Sequence, residues 1–316
     1  MKNNKTTEDY IKSLQNQKYK VIGKNQHSAV KTCHWTKESI KCNENCYKQD
    51  FYGIDTHRCL QMTPNIYCNQ RCVFCWRSWE ESPVKTAPKK WDEPEEIVEK
   101  SIQAQKKLLS GLGGIPKRID KEKYGESQKP TQVAISLLGE PTLYPYLQEL
   151  IEKYEERGMT TFVVSNGMNP RMIEEIEPTQ LYLSLDAPDK EKHEEINQPL
   201  PENSWKKLQE SLNHMREKDR SVLRITAIKE KNMNKPEKYA QMIERNNIDF
   251  VEIKAYMYIG YSRKRLEQEN MPMHPEVKEF AKEISEHTDY TLIDEKPVSR
   301  VALLSSGKKE QEIKEK

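Results

Sequence analysis

The run Asn65-Ile66-Tyr67-Cys68-Asn69-Gln70-Arg71-Cys72-Val73-Phe74-Cys75-Trp76 places three thiols, spaced Cys68-x3-Cys72-x2-Cys75, directly behind a short apolar stretch. Three thiolates on one loop can hold three irons of a 4Fe–4S cluster and leave the fourth iron open. A structural zinc site wants four protein ligands, and ordinary ferredoxin spacings also supply four cysteines. Outward from this loop the pattern repeats. Apolar strand candidates at 65–68, 132–138, 161–165, 181–185, 223–228 and 250–255, with a further one at 290–293, alternate with amphipathic helical stretches. The expected helices cover 93–109, 146–157, 170–176, 204–218, 236–245 and 275–287, several opening on proline in the first turn. Six strand–helix units in series imply an α/β fold with a parallel sheet and right-handed crossovers. Six is short of the eight that close a barrel, so a partial (β/α)6 TIM-like barrel is expected, with a doubly wound open sheet as the alternative. Ligands then gather at the C-terminal strand ends.

Polar residues stand where those ends are expected: Gly139-Glu140-Pro141 after the second strand, Ser165-Asn166-Gly167 after the third, and Ser184-Leu185-Asp186 after the fourth. Each is also an ordinary turn or helix-cap residue type.

Charge and cysteine usage narrow the class. Among 316 residues, 52 Lys and Arg face 50 Asp and Glu, so the net charge of +2 does not by itself point to nucleic acid. Residues 1–50 hold ten lysines against five acids, which suits a solvated leader or a basic arm for RNA. All seven cysteines lie between positions 33 and 75, an odd number that argues for metal or redox chemistry over a disulfide framework. No apolar run of membrane-spanning length and no signal-peptide core occur, so a cytoplasmic location and no membrane are expected. Cys33, Cys46 and Cys59 precede the expected barrel at intervals of thirteen. They read either as small buried residues or, flanked by polar and aromatic side chains, as ligands in a cap over the C-terminal face. The expected domains are an N-terminal cysteine-containing cap over 1–60, a barrel over 61–300 and a charged C-terminal tail over 301–316.

The Cys68–Cys72–Cys75 loop and the Gly139-Glu140-Pro141 segment resemble the radical S-adenosylmethionine (SAM) superfamily. A longer ordered string resembles the archaeal tRNA 4-demethylwyosine synthases: AVKTCHW, NCYKQDFYGIDTHRC, CNQRCVFCWR, VAISLLGEPTLYPYL, TTFVVSNG, IEPTQLYLSLDA, VEIKAYMYIGYSRKRL and SRVALL, from Ala29 to Leu304. This resemblance implies a radical SAM barrel with one cluster on Cys68, Cys72 and Cys75 and a second 4Fe–4S cluster on Cys33, Cys46 and Cys59. It implies SAM contacts at Gly139, Glu140, Asn166, Ser184 and Asp186, and a Schiff base between Lys48 and pyruvate. Cys42 falls outside the matched set.

The implied reaction builds 4-demethylwyosine on tRNA(Phe). A 5′-deoxyadenosyl radical takes a hydrogen from the methyl group of N1-methylguanosine-37, and two carbons of pyruvate close the third ring. An external flavodoxin- or ferredoxin-like electron donor and a monomeric chain are expected. Lys229, Lys231 and Lys235, with Arg263, Lys264 and Arg265, are the expected RNA-facing cations, and Tyr256, Tyr258 and Tyr261 the candidates for stacking. Two other readings remain: a radical SAM enzyme acting on a different substrate, and a non-catalytic iron–sulfur protein that binds tRNA.

Overall fold

The computed structural model describes residues 6–80, 88, 90–114 and 116–313, which fall into two compact units. The first comprises Met1–Cys68, Trp79–Val163 and Glu312–Lys316; the second comprises Asn69–Ser78 and Val164–Gln311.

In the first unit the strands are β1 (Lys20–Ile22), β2 (Ser28–Val30), β3 (Cys59–Thr63), β4 (Gln132–Ile135) and β5 (Thr160–Ser165), which leaves the unit after Val163. They lie in the order β1-β2-β3-β4-β5. The β1–β2 and β2–β3 pairs are antiparallel, whereas β3, β4 and β5 run parallel. Leu60, Met62, Val133 and Ile135 are fully buried, and helix Pro94–Leu109 packs against β3 and against helix Leu147–Glu155. The residues that alternate with them along the strands, Cys59, Gln61 and Ala134, are less buried, the alternation of a strand with two unlike faces.

This arrangement corrects two expectations. The first parallel strand is Cys59–Thr63, not 65–68, because Pro64 has no N–H to donate to a ladder and ends the strand. The boundary expected at residue 60 is absent, since the hairpin β1–β2 pairs onto β3 and covers its edge.

In the second unit β6 (Gln180–Ser184), β7 (Ser221–Ala227) and β8 (Phe250–Ala255) are parallel, while β9 (Thr291–Lys296) and β10 (Val301–Ser305) complete the order β6-β7-β8-β10-β9 by antiparallel pairing. Helices Pro170–Glu175, Pro236–Arg245 and His274–Ser285 carry proline in their first turn, where its missing N–H costs nothing. A buried polar thread crosses the sheet: Gln180 donates to the Tyr182 hydroxyl at 2.6 Å, which donates to Glu252 at 3.0 Å. The tail expected from residue 301 begins instead as a fully buried strand, Val301 to Ser305. The Arg220 guanidinium then holds the carbonyls of Glu310 and Gln311. Among the described residues no helix is long and apolar enough to cross a membrane.

Candidate active site

The chemistry-bearing residues of the first unit stand at two levels of its parallel strands. At the N-terminal level Cys59 opens β3 in register with Gln132, the first residue of β4, which pairs in turn with Thr160, the first of β5. Cys33 immediately precedes helix His34–Ile40, and Cys46 precedes helix Tyr47–Tyr52. Hydrogen bonds lace the three segments together. The Thr36 hydroxyl donates to the Thr56 carbonyl at 3.2 Å, and the Cys46 amide donates to the Thr56 hydroxyl at 3.1 Å. Gln105 donates to the Cys59 carbonyl at 3.1 Å. Burial pushes the Cys59 thiol up, Cys33 and Cys46 push it in the same direction, and Lys48 pulls it back, so all four side chains share one neighbourhood.

Cys42 lies elsewhere. It is exposed, with its sulfur 3.8 Å from a carboxylate oxygen of Asp120.

Lys48 reaches further along the strands. Its Nζ lies 4.6 Å from the centroid of the buried Phe162 ring. Phe162 pairs with Ala134 and Ala134 with Gln61, two residues beyond the level of Cys59 and on the same sheet face. At 3.3 Å per residue that is an advance of about 7 Å toward the C-terminal strand ends.

Those ends carry the Gly139-Glu140 turn. Gly139 has φ +70°, and a Cβ there would lie 2.1 Å from the Asn65 carbonyl oxygen and 2.7 Å from that of Tyr67, so no other residue fits. The Glu140 amide donates to the Tyr67 carbonyl at 2.7 Å, and Asn65 Nδ2 bridges the carbonyls of Tyr67 and Glu140 at 3.0 and 3.2 Å. The turn is therefore pinned to the residue preceding Cys68. The buried Glu140 carboxylate accepts from the amide and hydroxyl of Thr142.

In the second unit the remainder of the cysteine loop is held on two sides. On one, Arg71 N–H donates to the carbonyls of Asn197 and Gln198 at 3.0 and 3.1 Å, and Val73 N–H to that of Ile196 at 2.8 Å. On the other, Arg265 donates to the Val73 carbonyl at 3.1 Å and to the Cys75 carbonyl, while Tyr261 N–H donates to the Trp76 carbonyl at 3.1 Å. Asn197 Nδ2 lies 3.6 Å from Cys72 Sγ and 3.3 Å from Asp186 Oδ2. The other Asp186 oxygen accepts from Thr226 N–H at 2.8 Å, and burial pushes this carboxyl up. Asn166 donates to Asn69 at 2.7 Å, and Ser184 ends β6 half-buried.

Several expectations shift. The second cysteine set gathers at the N-terminal strand ends, not in a cap over the C-terminal face. Tyr256 is 2% exposed and donates to Ser262, a core residue and not a stacking platform. Lys229, Lys231 and Lys235 are engaged with Glu276, Glu195 and Asp189. Arg265 serves the cysteine loop. Asn65, Thr56, Asn197 and Phe162 escaped sequence reasoning because each supports a ligand through a contact distant in the chain.

The donor set fits iron–sulfur clusters. A thiol made harder to ionise by burial and by two neighbouring thiols becomes a thiolate readily only against a bound cation. Among the described residues no group of three Cys, His, Asp or Glu side chains is placed to hold a single metal ion.

The Radical SAM superfamily model matches residues 62–243, which fixes the class as radical SAM enzymes, and a second model, Wyosine base formation, matches residues 245–306. The S-adenosyl-L-methionine-dependent tRNA 4-demethylwyosine synthase of Pyrococcus abyssi is 46% identical over 305 residues, covering 94% of this chain and 88% of the relative. That of Methanocaldococcus jannaschii is 44% identical over 306 residues, covering 95% and 96%. A solved structure of TYW1 with a lysine–pyruvate adduct bound superposes with a TM-score of 0.89 at 41% identity, covering 98% of this chain and 99% of that one. The structure of an archaeal TYW1 gives 0.81 at 38%, with the same coverage. The chain belongs to the family of SAM-dependent tRNA 4-demethylwyosine synthases.

Proposed function

We propose that this enzyme joins N1-methylguanosine-37 of tRNA(Phe) to two carbons of pyruvate, whose carboxyl carbon is lost, using two 4Fe–4S clusters, one on Cys68, Cys72 and Cys75 and one on Cys33, Cys46 and Cys59. The observation that carries the reading is the grouping of Lys48 with Cys33, Cys46 and Cys59 on one face of the first unit's sheet. A relative caught with a lysine–pyruvate adduct supports Lys48 as the residue that takes pyruvate. When bound, the Cys68 cluster with SAM supplies a radical able to take hydrogen from the N1-methyl group, and the second cluster offers a Lewis-acidic iron.

The chain's own side chains bind and orient. Lys48 Nζ attacks the keto carbon of pyruvate and water leaves, giving an imine that fixes the carbon to be joined. The Phe162 ring under Nζ restricts the lysine to one approach and keeps bulk water from that side. In the first unit Gly139 and Glu140 shape the turn proposed to read the SAM methionine moiety. In the second unit Asn166 and Ser184 are proposed as SAM contacts. Asp186, whose oxygens are engaged by Thr226 and Asn197, acts by holding the loop. A flavodoxin- or ferredoxin-like electron donor, a monomeric chain and a cytoplasmic location complete the proposal.

Anaerobic turnover with N1-methylguanosine-containing tRNA, pyruvate and SAM, followed by nucleoside mass analysis, should yield the tricyclic base together with 5′-deoxyadenosine. Deoxyadenosine without the tricycle would mean a different substrate. Bound tRNA with neither product would mean a non-catalytic iron–sulfur protein.

A further inference from the structure

Among the described residues eight large apolar side chains are exposed, and three of them, Trp76 (41%), Met257 (37%) and Ile259 (46%), lie in the second unit on two segments that touch. The contact between the segments is built in. Gly260 has φ +59°, and a Cβ there would fall 2.4 Å from the Trp76 carbonyl oxygen, while Tyr261 N–H donates to that oxygen. Segment 257–264 and the end of the cysteine loop are thus locked together, with Arg265 fastening the same segment to Val73 and Cys75.

Cations are laid over the rings. The Arg77 guanidinium sits 3.4 Å from the Trp76 ring centroid, Lys264 Nζ 4.5 Å from that of Tyr261, and Arg263 5.9 Å from that of Tyr258. Arg263 and Lys264 are exposed. Protein-binding patches lose charge, lysine above all, at their centre, whereas surfaces for unpaired RNA combine aromatic faces with guanidinium and ammonium groups.

We propose that Trp76, backed by Arg77, is the stacking platform for an unpaired nucleotide of the tRNA anticodon loop, and that residues 257–264 form the rest of that surface. The inference rests on tRNA being the substrate and goes beyond it by assigning the surface. It replaces Tyr256, which is buried, with a ring that the nucleotide can reach.

The test uses anaerobically reconstituted full-length protein and N1-methylguanosine-containing tRNA(Phe), with iron content and circular dichroism checked for each variant. RNA should quench tryptophan emission in the wild type. Trp76→Phe should bind within a few-fold of wild type with most of that quench gone. Trp76→Ala should bind about five- to a hundredfold more weakly, the usual cost of removing one stacked base. The pair Arg263→Gln and Lys264→Gln should weaken binding and flatten its salt dependence by roughly 0.7 log units per contact per decade of salt. An unchanged quench in Trp76→Phe, or wild-type affinity in Trp76→Ala, overturns the assignment and leaves the function standing. A wild-type protein that neither binds nor modifies this tRNA overturns the function and this inference with it.

Discussion

The two cysteine sets reach the same end by opposite routes. Cys68, Cys72 and Cys75 sit within eight residues of one loop, so their grouping follows from chain connectivity, and the fold needs only to anchor the loop. It does so through carbonyls, with Arg265 on Val73 and Cys75 and the Arg71 and Val73 amides on the end of helix Lys190–Asn197. Cys33, Cys46 and Cys59 come from three segments that share one neighbourhood, and Thr36, Thr56 and Gln105 tie those segments together. The first set is a motif. The second is a product of the tertiary structure, and losing its scaffold should cost it more.

Each set can be removed without touching the other. Changing Cys68, Cys72 and Cys75 together to Ala should abolish SAM cleavage and product alike, read as 5′-deoxyadenosine and tricyclic base. Changing Cys33, Cys46 and Cys59 together should abolish the tricyclic base and spare much of the SAM cleavage. Equal loss of SAM cleavage from both variants would deny the separate roles. Next in size, Lys48→Ala should form no tricyclic base while its iron content stays at the wild-type level. Borohydride with labelled pyruvate should mark Lys48 in the wild type and leave the variant unlabelled. Full product from the variant would exclude an imine on Lys48.

A smaller effect separates the anchors. His193 lies in helix Lys190–Asn197, is 2% exposed, and burial pushes its imidazole down to about 4, although Asn197 and Glu194 favour the charged form. The unfolded chain takes up this proton near pH 6.5 and the folded chain only near 4. Stability from this residue is therefore complete above about pH 6.5 and falls as the pH drops toward 4. At about 1.4 kcal/mol per unit the loss amounts to roughly 3 kcal/mol. Urea unfolding at pH 7 and pH 5 should show a smaller difference for His193→Gln than for the wild type. Equal differences would remove His193 as the cause.

The same contrast explains what the sequence made legible. Strand β8 (Phe250–Ala255) and helix Pro236–Arg245 were readable to the residue because apolar periodicity and first-turn proline are local signals. Strands β1 and β2 are three residues each, too short to show a period, and they take their place from pairing with β3. Strand β10 hid at the head of a charged terminus. The expected strand at 65–68 was displaced to Cys59–Thr63, and that shift moved the second cysteine set from the C-terminal to the N-terminal strand ends. At the site, ligand residues carry compositional signals that spacing or family resemblance can pick out. Their supports do not: Asn197 lies 125 residues from Cys72 and Arg265 190 residues from Cys75, separations at which a single sequence carries no pairing signal.

Under the proposed function two independent three-thiol sets each hold a 4Fe–4S cluster. Iron analysis with electron paramagnetic resonance on anaerobically reconstituted wild type and on the two triple-alanine variants tests it most directly. The wild type should hold about eight irons, from four per cluster, and each variant about half that number, with two distinguishable reduced-cluster signals. Four irons or bound zinc in the wild type, or a triple variant of Cys33, Cys46 and Cys59 that keeps its full iron content, would contradict it.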